Sequence, residues 1–311
     1  MMRAIRVSQY GGPEQLKLEE VPRPEPQAGE VLIRVHAVGV LPMEWKLRRG
    51  LFQGRMPLTF PYIPGSAIAG VVEQVGPGVE TFRIGQAVFG RTSKGGYAEY
   101  ATAAVENLAL KPEGLSFVDA ATISGGATVA FSALFENAKL QAGQRVLIHG
   151  AAGGVGLFAV QFARWKGAAE VIATASAQNE AFVRALGAQT VINYAKTRFE
   201  DVVHDVDVVL DTIGGETLTR SMQVVKPGGI LVSLLEEPSQ EEATRLGIRA
   251  MSNKPSFPWP STELLQTIAR LMTEEGVKTE IARTFPLHEA AQAHALSETG
   301  HGRGRIVLLI H

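Results

Sequence analysis

The sequence predicts an α/β chain in which a doubly wound parallel sheet accompanies a second, β-rich domain. Three observations carry that expectation. Between residues 145 and 235, short apolar strands alternate with helical segments at the spacing of βαβ units. Residues 1–120 read instead as many short strands separated by glycine and proline, the texture of a barrel or sandwich. The length of 311 residues suggests two domains at about 100–200 residues each.

Along the chain, Glu30–Val40 alternates, with Val31, Ile33 and Val35 on one face and Leu32, Arg34 and His36 on the other, as in a half-buried strand. Residues 66–75 form a strand running into the turn Gly76-Pro77-Gly78, and residues 85–89 and 97–103 add short strands. A helix is expected over 119–134, opened at Leu115-Ser116. The alternation then runs strand 145–149, helix 156–166, strand 170–175, helix 179–186 and strand 191–192. Strands 207–210 and 230–235 follow, joined by a helix over 216–225. The apolar run 230–235 suits either an edge strand shared across a dimer or an internal parallel strand. Residues 253–260 are a Pro-rich linker whose Phe257, Pro258 and Trp259 suit a substrate contact, a subunit contact or simple packing. Helices over 261–276 and 289–296 and a strand over 305–310 close the chain.

The strongest local signal is RVLIHGAAGGVG at 145–156, an apolar strand, a glycine loop and a helix. Its spacing, Ala151-x-Gly153-x-x-Gly156, is an A-x-G-x-x-G form of the Rossmann dinucleotide fingerprint. Gly153 lets the backbone approach a pyrophosphate, and Gly156 lets the helix pack closely on the strand. The backbone N–H groups of Gly154 and Val155, with the helix dipole behind them, would hold the phosphates. The alternative, a glycine-rich turn without a ligand, fits the βαβ context less well.

An NAD site places an acidic residue about 20 positions further on, against the ribose 2′-hydroxyl. Here that stretch reads Thr174-Ala175-Ser176-Ala177-Gln178-Asn179, and no carboxylate occurs from Val171 to Asn179. Hydroxyls and amides donate to a 2′-phosphate that a carboxylate would repel. Thr174, Ser176, Gln178 and Asn179 therefore favour NADPH over NADH, with Arg184 available one turn on. Ser176 and Asn179 also suit helix N-caps.

Lys and Arg number 30 against 31 Asp and Glu, a net charge of −1, which supports neither a nucleic-acid surface nor an anionic-membrane partner. No apolar run approaches the roughly 18 residues of a membrane span. Residues 1–15 carry no apolar signal-peptide core, so a cytoplasmic protein is expected. The chain has no cysteine, which excludes disulfides, thiolate nucleophiles and cysteine-ligated zinc.

Several short motifs occur in a telling order. They are Gly29-Glu30-Val31, Pro64-Gly65-Ser66 with Ala69-Gly70-Val71, Gly96-Tyr97-Ala98-Glu99-Tyr100 and the loop 150–156. Leu186-Gly187-Ala188, Ile192-Asn193-Tyr194, DTIGG at 211–215 and the ending Gly304-Arg305-Ile306-Val307-Leu308 follow. Together the chain resembles the medium-chain dehydrogenase/reductase superfamily, and within it the zinc-free quinone oxidoreductase branch. The resemblance implies a GroES-like β-barrel catalytic domain over 1–120 and 256–311, with a Rossmann NADP(H)-binding domain over 121–255 inserted. It implies NADPH as cofactor, substrate and cofactor in a cleft between the domains, and a homodimer. Tyr194 matches a tyrosine near the adenosine 2′-phosphate, though an aromatic there also suits simple packing. Thr212, Ile213, Leu234 and Leu235 match ligand-facing strand ends, and Arg303 a C-terminal loop near the cofactor.

The departures matter as much. Gly65-Ser66-Ala67 stands where zinc-dependent relatives carry Gly-His-Glu, so no metal is expected. Zinc-free relatives carry Asn-Pro-x-Asp near the nicotinamide; here it is Leu41-Pro42-Met43-Glu44, and a leucine side chain cannot hydrogen-bond. Val129-Ala130 stands at a family Thr-Ala pair, with Thr128 one place early. Leu41, Tyr62, Thr128 and Val129 are thus the expected, rather apolar, substrate pocket. A simple ketone needs an electrophile for its developing oxyanion, whereas a quinone or enone spreads that charge over its own conjugated system. The expected reaction is hydride transfer from NADPH to a quinone or α,β-unsaturated carbonyl, with Tyr62 or solvent as proton donor. A zinc-type alcohol dehydrogenase and a catalytically idle NADPH-binding protein are the rivals. His36 and His149 read as surface or packing histidines, and Glu236-Glu237 and Glu241-Glu242 as solvated surface.

Overall fold

The computed structural model describes residues 1–253, 259–300 and 302–310; Phe257 and Pro258 lie outside them. The chain divides into two compact units, Met1–Gly125 with Pro258–His311, and Gly126–Phe257.

The first unit opens with an antiparallel ribbon of β1 (Met2–Arg6) and β2 (Lys17–Val21). Then come β3 (Glu30–Val40), α1 (Pro42–Arg48), β4 (Ala67–Val75), β5 (Ala87–Arg91), β6 (Tyr100–Ala104), β7 (Leu108–Leu110) and α2 (Phe117–Thr122). Strand β3 is the spine. It pairs antiparallel with β4 and β6, and its register slips at Leu32/Ile33 and Val35/Ala37. Such irregularities bend a strand, as a barrel requires. They also break the expected alternation: Leu32 is buried together with Val31, Ile33 and Val35, and only Arg34 and His36 stay half-exposed. His36 stacks on Phe117, with ring centroids 4.4 Å apart.

Helix α2 starts where Ser116 Oγ accepts from Asp119 N at 3.0 Å, an N-cap bond. Its winding widens to π-helix over Ile123–Ala127, returns to α3 (Thr128–Phe131), and widens again over Ser132–Asn137. The whole run Phe117–Asn137 is long and apolar enough by composition to cross a bilayer, which corrects the expectation that no segment reaches that length. About two-thirds of it is buried within the protein, as in a core helix.

The second unit continues with β8 (Arg145–Ile148), α4 (Gly156–Trp165), β9 (Glu170–Ala175), α5 (Glu180–Ala185) and β10 (Thr190–Asn193). It is completed by β11 (Val206–Asp211), α6 (Gly215–Ser221), β12 (Val225–Ser233), α7 (Gln240–Leu246) and β13 (Arg249–Ser252). The sheet is parallel throughout, in the order β10-β9-β8-β11-β12-β13. This is the doubly wound order, whose direction of winding reverses between β8 and β11. Helix α4 buries Leu157, Phe158, Val160 and Phe162, each contributing roughly 1.5–3 kcal/mol. Strand β12 lies between β11 and β13, so residues 230–235 are not a sheet edge. The edge is β13, which follows a polar stretch and carries no apolar run of its own.

The chain then returns to the first unit as α8 (Thr262–Glu274), β14 (Ile281–Pro286), α9 (Ala290–Glu298) and β15 (Arg305–Leu309). Strand β15 pairs antiparallel with β3 and parallel with β14, giving the order β14-β15-β3-β4-β5-β7 with β6 also on β3. An α/β chain with a β-rich barrel unit and a doubly wound parallel sheet is thus what forms.

Candidate active site

The glycine loop follows β8. Gly150 has φ +63°, a conformation glycine adopts freely, and a Cβ there would lie 2.4 Å from Thr212 Oγ1. A Cβ on Gly156 would lie 2.2 Å from Gly150 O, so Gly156 lets α4 start against the loop. At Gly153 the nearest atom would be 3.2 Å away. The tight turn therefore belongs to Gly150, a residue the fingerprint spacing passed over. Ala151 is buried, and its N–H donates to Thr174 O at 3.2 Å, tying the loop to β9. The N–H groups of Ala152, Gly154 and Val155 have no partner among the described residues. They sit at the N-terminus of a ten-residue helix, where unpaired donors and the helix dipole favour an anion. The loop fits a dinucleotide pyrophosphate.

The carboxyl ends of β8 to β12 gather most of the expected cofactor residues on one side of the sheet. Tyr194 N–H donates to Ala175 O at 3.4 Å, which sets Tyr194 beside the β9 end. Tyr194 is 60% exposed, not a packed aromatic. Ser176 and Asn179 do not cap helices: neither side chain accepts a cap bond, and Asn179 Nδ2 donates to Ser176 Oγ at 3.1 Å. Gln178 is exposed. Arg184 is drawn to Glu180 Oε1 at 3.1 Å and to Gln189 O at 2.9 Å. Thr212 Oγ1 donates to the His149 carbonyl at 2.8 Å, and Ile213 is half-exposed. Leu234 N–H donates to Asp211 O at 2.9 Å, and Leu235 is half-exposed.

Thr174 is placed differently. It is buried, and its Oγ1 lies 3.0 Å from His149 Nδ1. His149 Nε2 lies 2.9 Å from Ser221 Oγ, whose own proton goes to Thr217 O at 2.6 Å. This fixes the tautomer: Nε2–H donates to Ser221, and Nδ1 accepts from Thr174. Burial, aided by the Arg220 charge, pulls the His149 pKa down to about 3, so the ring is neutral. The Thr174 hydroxyl is thus engaged by His149 inside the protein. His149 is a packing histidine, as expected.

Asp211, which ends β11 and opens the DTIGG motif, was given no role from the sequence. It is buried, accepts from Ile213 N at 2.9 Å and Gly214 N at 3.1 Å, and takes Ser233 Oγ at 3.3 Å. Burial raises its pKa against those hydrogen bonds. Its signal was available: an Asp two and three residues before the N–H groups that donate to it is an Asx-type device. Glu236 likewise accepts from Gly215 N at 3.2 Å and is not only solvated surface.

In the first unit the expected pocket residues border a buried polar cluster. Leu41 precedes α1, which has Pro42 at its first position and Glu44 reaching back to Leu41 N at 3.1 Å. Glu44 is buried. Its Oε1 accepts from Ser66 N at 2.9 Å and Ser66 Oγ at 3.3 Å, and its Oε2 from Tyr97 Oη at 2.7 Å. Tyr97 Oη lies 3.0 Å from His294 Nε2, His294 Nδ1 accepts from Arg48 Nε at 3.4 Å, and Arg48 pairs with Glu298. Burial raises the Glu44 pKa and lowers that of His294 to about 3. Ser66 Oγ also accepts from Arg91 Nη2 at 2.8 Å. The members are 53 and 197 residues apart in sequence, so no local pattern reveals them. Tyr62 is half-buried; its hydroxyl has no partner, and burial holds its pKa well above the usual phenol value. Arg303 pairs with Glu280 at 2.6 Å. Thr128, buried, and Val129, half-buried, lie in the second unit.

Among the described residues no group of three or more His, Asp or Glu side chains is placed to hold a metal ion, and the chain has no cysteine. Leu41 and an arginine-bonded Ser66 are not zinc ligands.

Comparison with known proteins places this geometry. Residues 27–113 match the alcohol dehydrogenase GroES-like domain, and residues 186–308 match the family described as zinc-binding dehydrogenase. The quinone oxidoreductase of Mus musculus is 37% identical over 334 aligned positions, covering 100% of this chain and 98% of that protein. The quinone oxidoreductase of Homo sapiens is 34% identical, with the same coverage. The solved quinone oxidoreductase of Coxiella burnetii superposes with a TM-score of 0.90 at 35% identity, covering 100% of this chain and 99% of that one. With its barrel unit, its doubly wound sheet and relatives matched over their full length, the chain belongs to the quinone oxidoreductase branch of the medium-chain dehydrogenase/reductase superfamily, a family of nicotinamide-dependent oxidoreductases.

Proposed function

We propose that this oxidoreductase uses NADPH to reduce quinones and α,β-unsaturated carbonyls without a metal. One observation carries the reading: the phosphate loop sits where the sheet order reverses, and the β9 end beside it presents Ser176, Gln178 and Asn179 rather than a carboxylate. The first acid after β9, Glu180, is occupied with Arg184.

When bound, NADPH supplies the hydride. The N–H groups of Ala152, Gly154 and Val155 take the pyrophosphate, with the charge of the α4 N-terminus behind them. Ser176, Gln178 and Asn179 take the 2′-phosphate, with exposed Tyr194 alongside. Asp211 holds the Thr212–Gly214 turn rigid beside the loop. Leu41 and Tyr62 offer the acceptor an apolar wall, which suits a flat conjugated molecule. Its unpartnered hydroxyl makes Tyr62 the side-chain candidate for proton donor beside water, and burial, by raising its pKa, makes it the weaker acid. The family likeness supports a homodimer as well; light scattering tests the dimer.

Stopped-flow mixing of NADPH-loaded protein with 1,4-benzoquinone, 9,10-phenanthrenequinone and an alkenal tests the reaction. Accelerated NADPH oxidation over buffer is expected with at least one acceptor, and none with any would sink the proposal. NADPH should bind at least tenfold tighter than NADH; equal affinity refutes the 2′-phosphate assignment. The rival, an idle NADPH-binding protein, rests on buried Leu41, and binding without turnover would favour it.

A further inference from the structure

Strand β15 begins with a buried cation. Arg305 is only 5% exposed, and its Nε and Nη2 have no hydrogen-bond partner. A buried, charged donor without an acceptor is uncommon and calls for an explanation. Ile306 pairs with Val40 in the β15–β3 register, which places Arg305 level with Leu41. A Cβ on Gly125 would lie 2.4 Å from Leu41 Cδ2 and 3.2 Å from Arg305 Nη2. Leu41 and Arg305 therefore pack directly against the bare Cα of Gly125, where no side chain would fit.

The anion whose charge faces Arg305, Glu44, makes no hydrogen bond to those donors. Glu44 supports the Arg305 charge through its field, and burial brings the Arg305 pKa down only to about 10. Yet both Glu44 oxygens are taken by Leu41 N, Ser66 N, Ser66 Oγ and Tyr97 Oη. Arg305 is held charged, with its donors left over.

We propose that the free N–H groups of Arg305 receive a ligand oxygen that carries or acquires negative charge. Building on the proposed reductase activity, we assign that oxygen to the substrate carbonyl, with a phosphate oxygen of the dinucleotide as the other source of the same chemistry. Hydride addition moves the electron pair of the carbonyl system onto that oxygen while NADPH becomes NADP⁺. Arg305 stabilises the anion and keeps its own protons; the oxygen then takes a proton from water. In this assignment Arg305 supplies the donor that the Leu41 side chain lacks.

Arg305→Met and Arg305→Lys test this by steady-state kinetics with 1,4-benzoquinone at saturating NADPH, NADPH titration without acceptor, and thermal melting. Folded Arg305→Met should lose about 10- to 100-fold in kcat with NADPH Kd within about twofold, and Arg305→Lys should recover part of the loss. A tenfold weaker NADPH Kd with kcat kept would assign the oxygen to the dinucleotide. A folded Arg305→Met that keeps both values overturns the proposal. Should Arg305→Met not fold, Arg305→Lys decides on the same readouts: a loss of about threefold in either supports the site, and none overturns it. A wild type without turnover removes the reductase reading alone, because the NADPH titrations still decide Arg305.

Discussion

His149 Nδ1 and Thr174 Oγ1 lie 3.0 Å apart at the neighbouring ends of β8 and β9, and this bond engages the Thr174 hydroxyl inside the protein. The bond predicts a contribution to the stability of the sheet. Thr174→Val should lower unfolding free energy by about 1–3 kcal/mol, because it leaves a buried ring nitrogen unpaired. Urea unfolding measures the loss, and NADPH Kd should stay within about twofold. A tenfold weaker Kd would return Thr174 to the cofactor site.

The same histidine makes the second unit acid-sensitive. Its folded pKa, about 3, lies below the ordinary 6.5, so the unfolded chain binds the proton first as pH falls. The stabilisation is complete above about pH 6.5 and is lost progressively toward pH 3. Between pH 7 and pH 5 the wild type should lose about 2 kcal/mol more stability than His149→Leu. The raised pKa of Asp211 has the opposite sign, favouring the folded state as pH falls toward its own range, but it is common to both proteins and cancels in the difference.

The two glycines of the loop should respond unequally to the same methyl group. Gly156→Ala puts a Cβ 2.2 Å from Gly150 O, which must move, so NADPH binding should fall by at least about tenfold. Gly153→Ala meets its nearest protein atom at 3.2 Å and should cost less than about 1 kcal/mol in stability, so that any loss of affinity comes from the methyl group facing the pyrophosphate alone. Equal effects in titration and thermal melting would contradict this loop geometry.

Glu44→Gln should destabilise the first unit by about 3–5 kcal/mol, because it removes the negative charge that supports buried Arg305 and turns an amide N–H toward other donors. Tyr97→Phe removes one donor to Glu44 and should cost less, about 1–3 kcal/mol. Urea unfolding of the two variants should rank them in that order.

The second unit was largely legible in the sequence, because β8, α4 and β9 carry apolar runs of the right length around a glycine turn. Element ends moved by a residue or two, and β12 starts earlier than its apolar core. Strands β2 and β13 were not legible: Lys17–Val21 carries three charges, and Arg249–Ser252 carries two polar residues and no apolar run. Exposed, polar strands take their conformation from a partner strand, which a linear pattern does not contain. In the site, the loop was read from its spacing, and Thr212, Ile213, Leu234 and Leu235 from the family resemblance. The bond from Thr174 to His149 was not legible because type and position do not say which way a hydroxyl turns, and Gly150 was passed over because spacing alone does not reveal a positive φ. Glu44, Tyr97, His294 and Arg305 were invisible as a group, since only the closed barrel brings them together.

That closure has a bearing on synthesis. Strand β3 is made early, but one of its partners, β15, is made last, and so are His294 and Glu298, which complete the cluster around Tyr97 and Arg48. The residues of the second unit are contiguous in between. Domains commonly fold in order of emergence from the ribosome. Here the order is inverted: the inserted sheet can finish while the barrel waits, with Arg48 lacking Glu298, until the final fifth of the chain arrives.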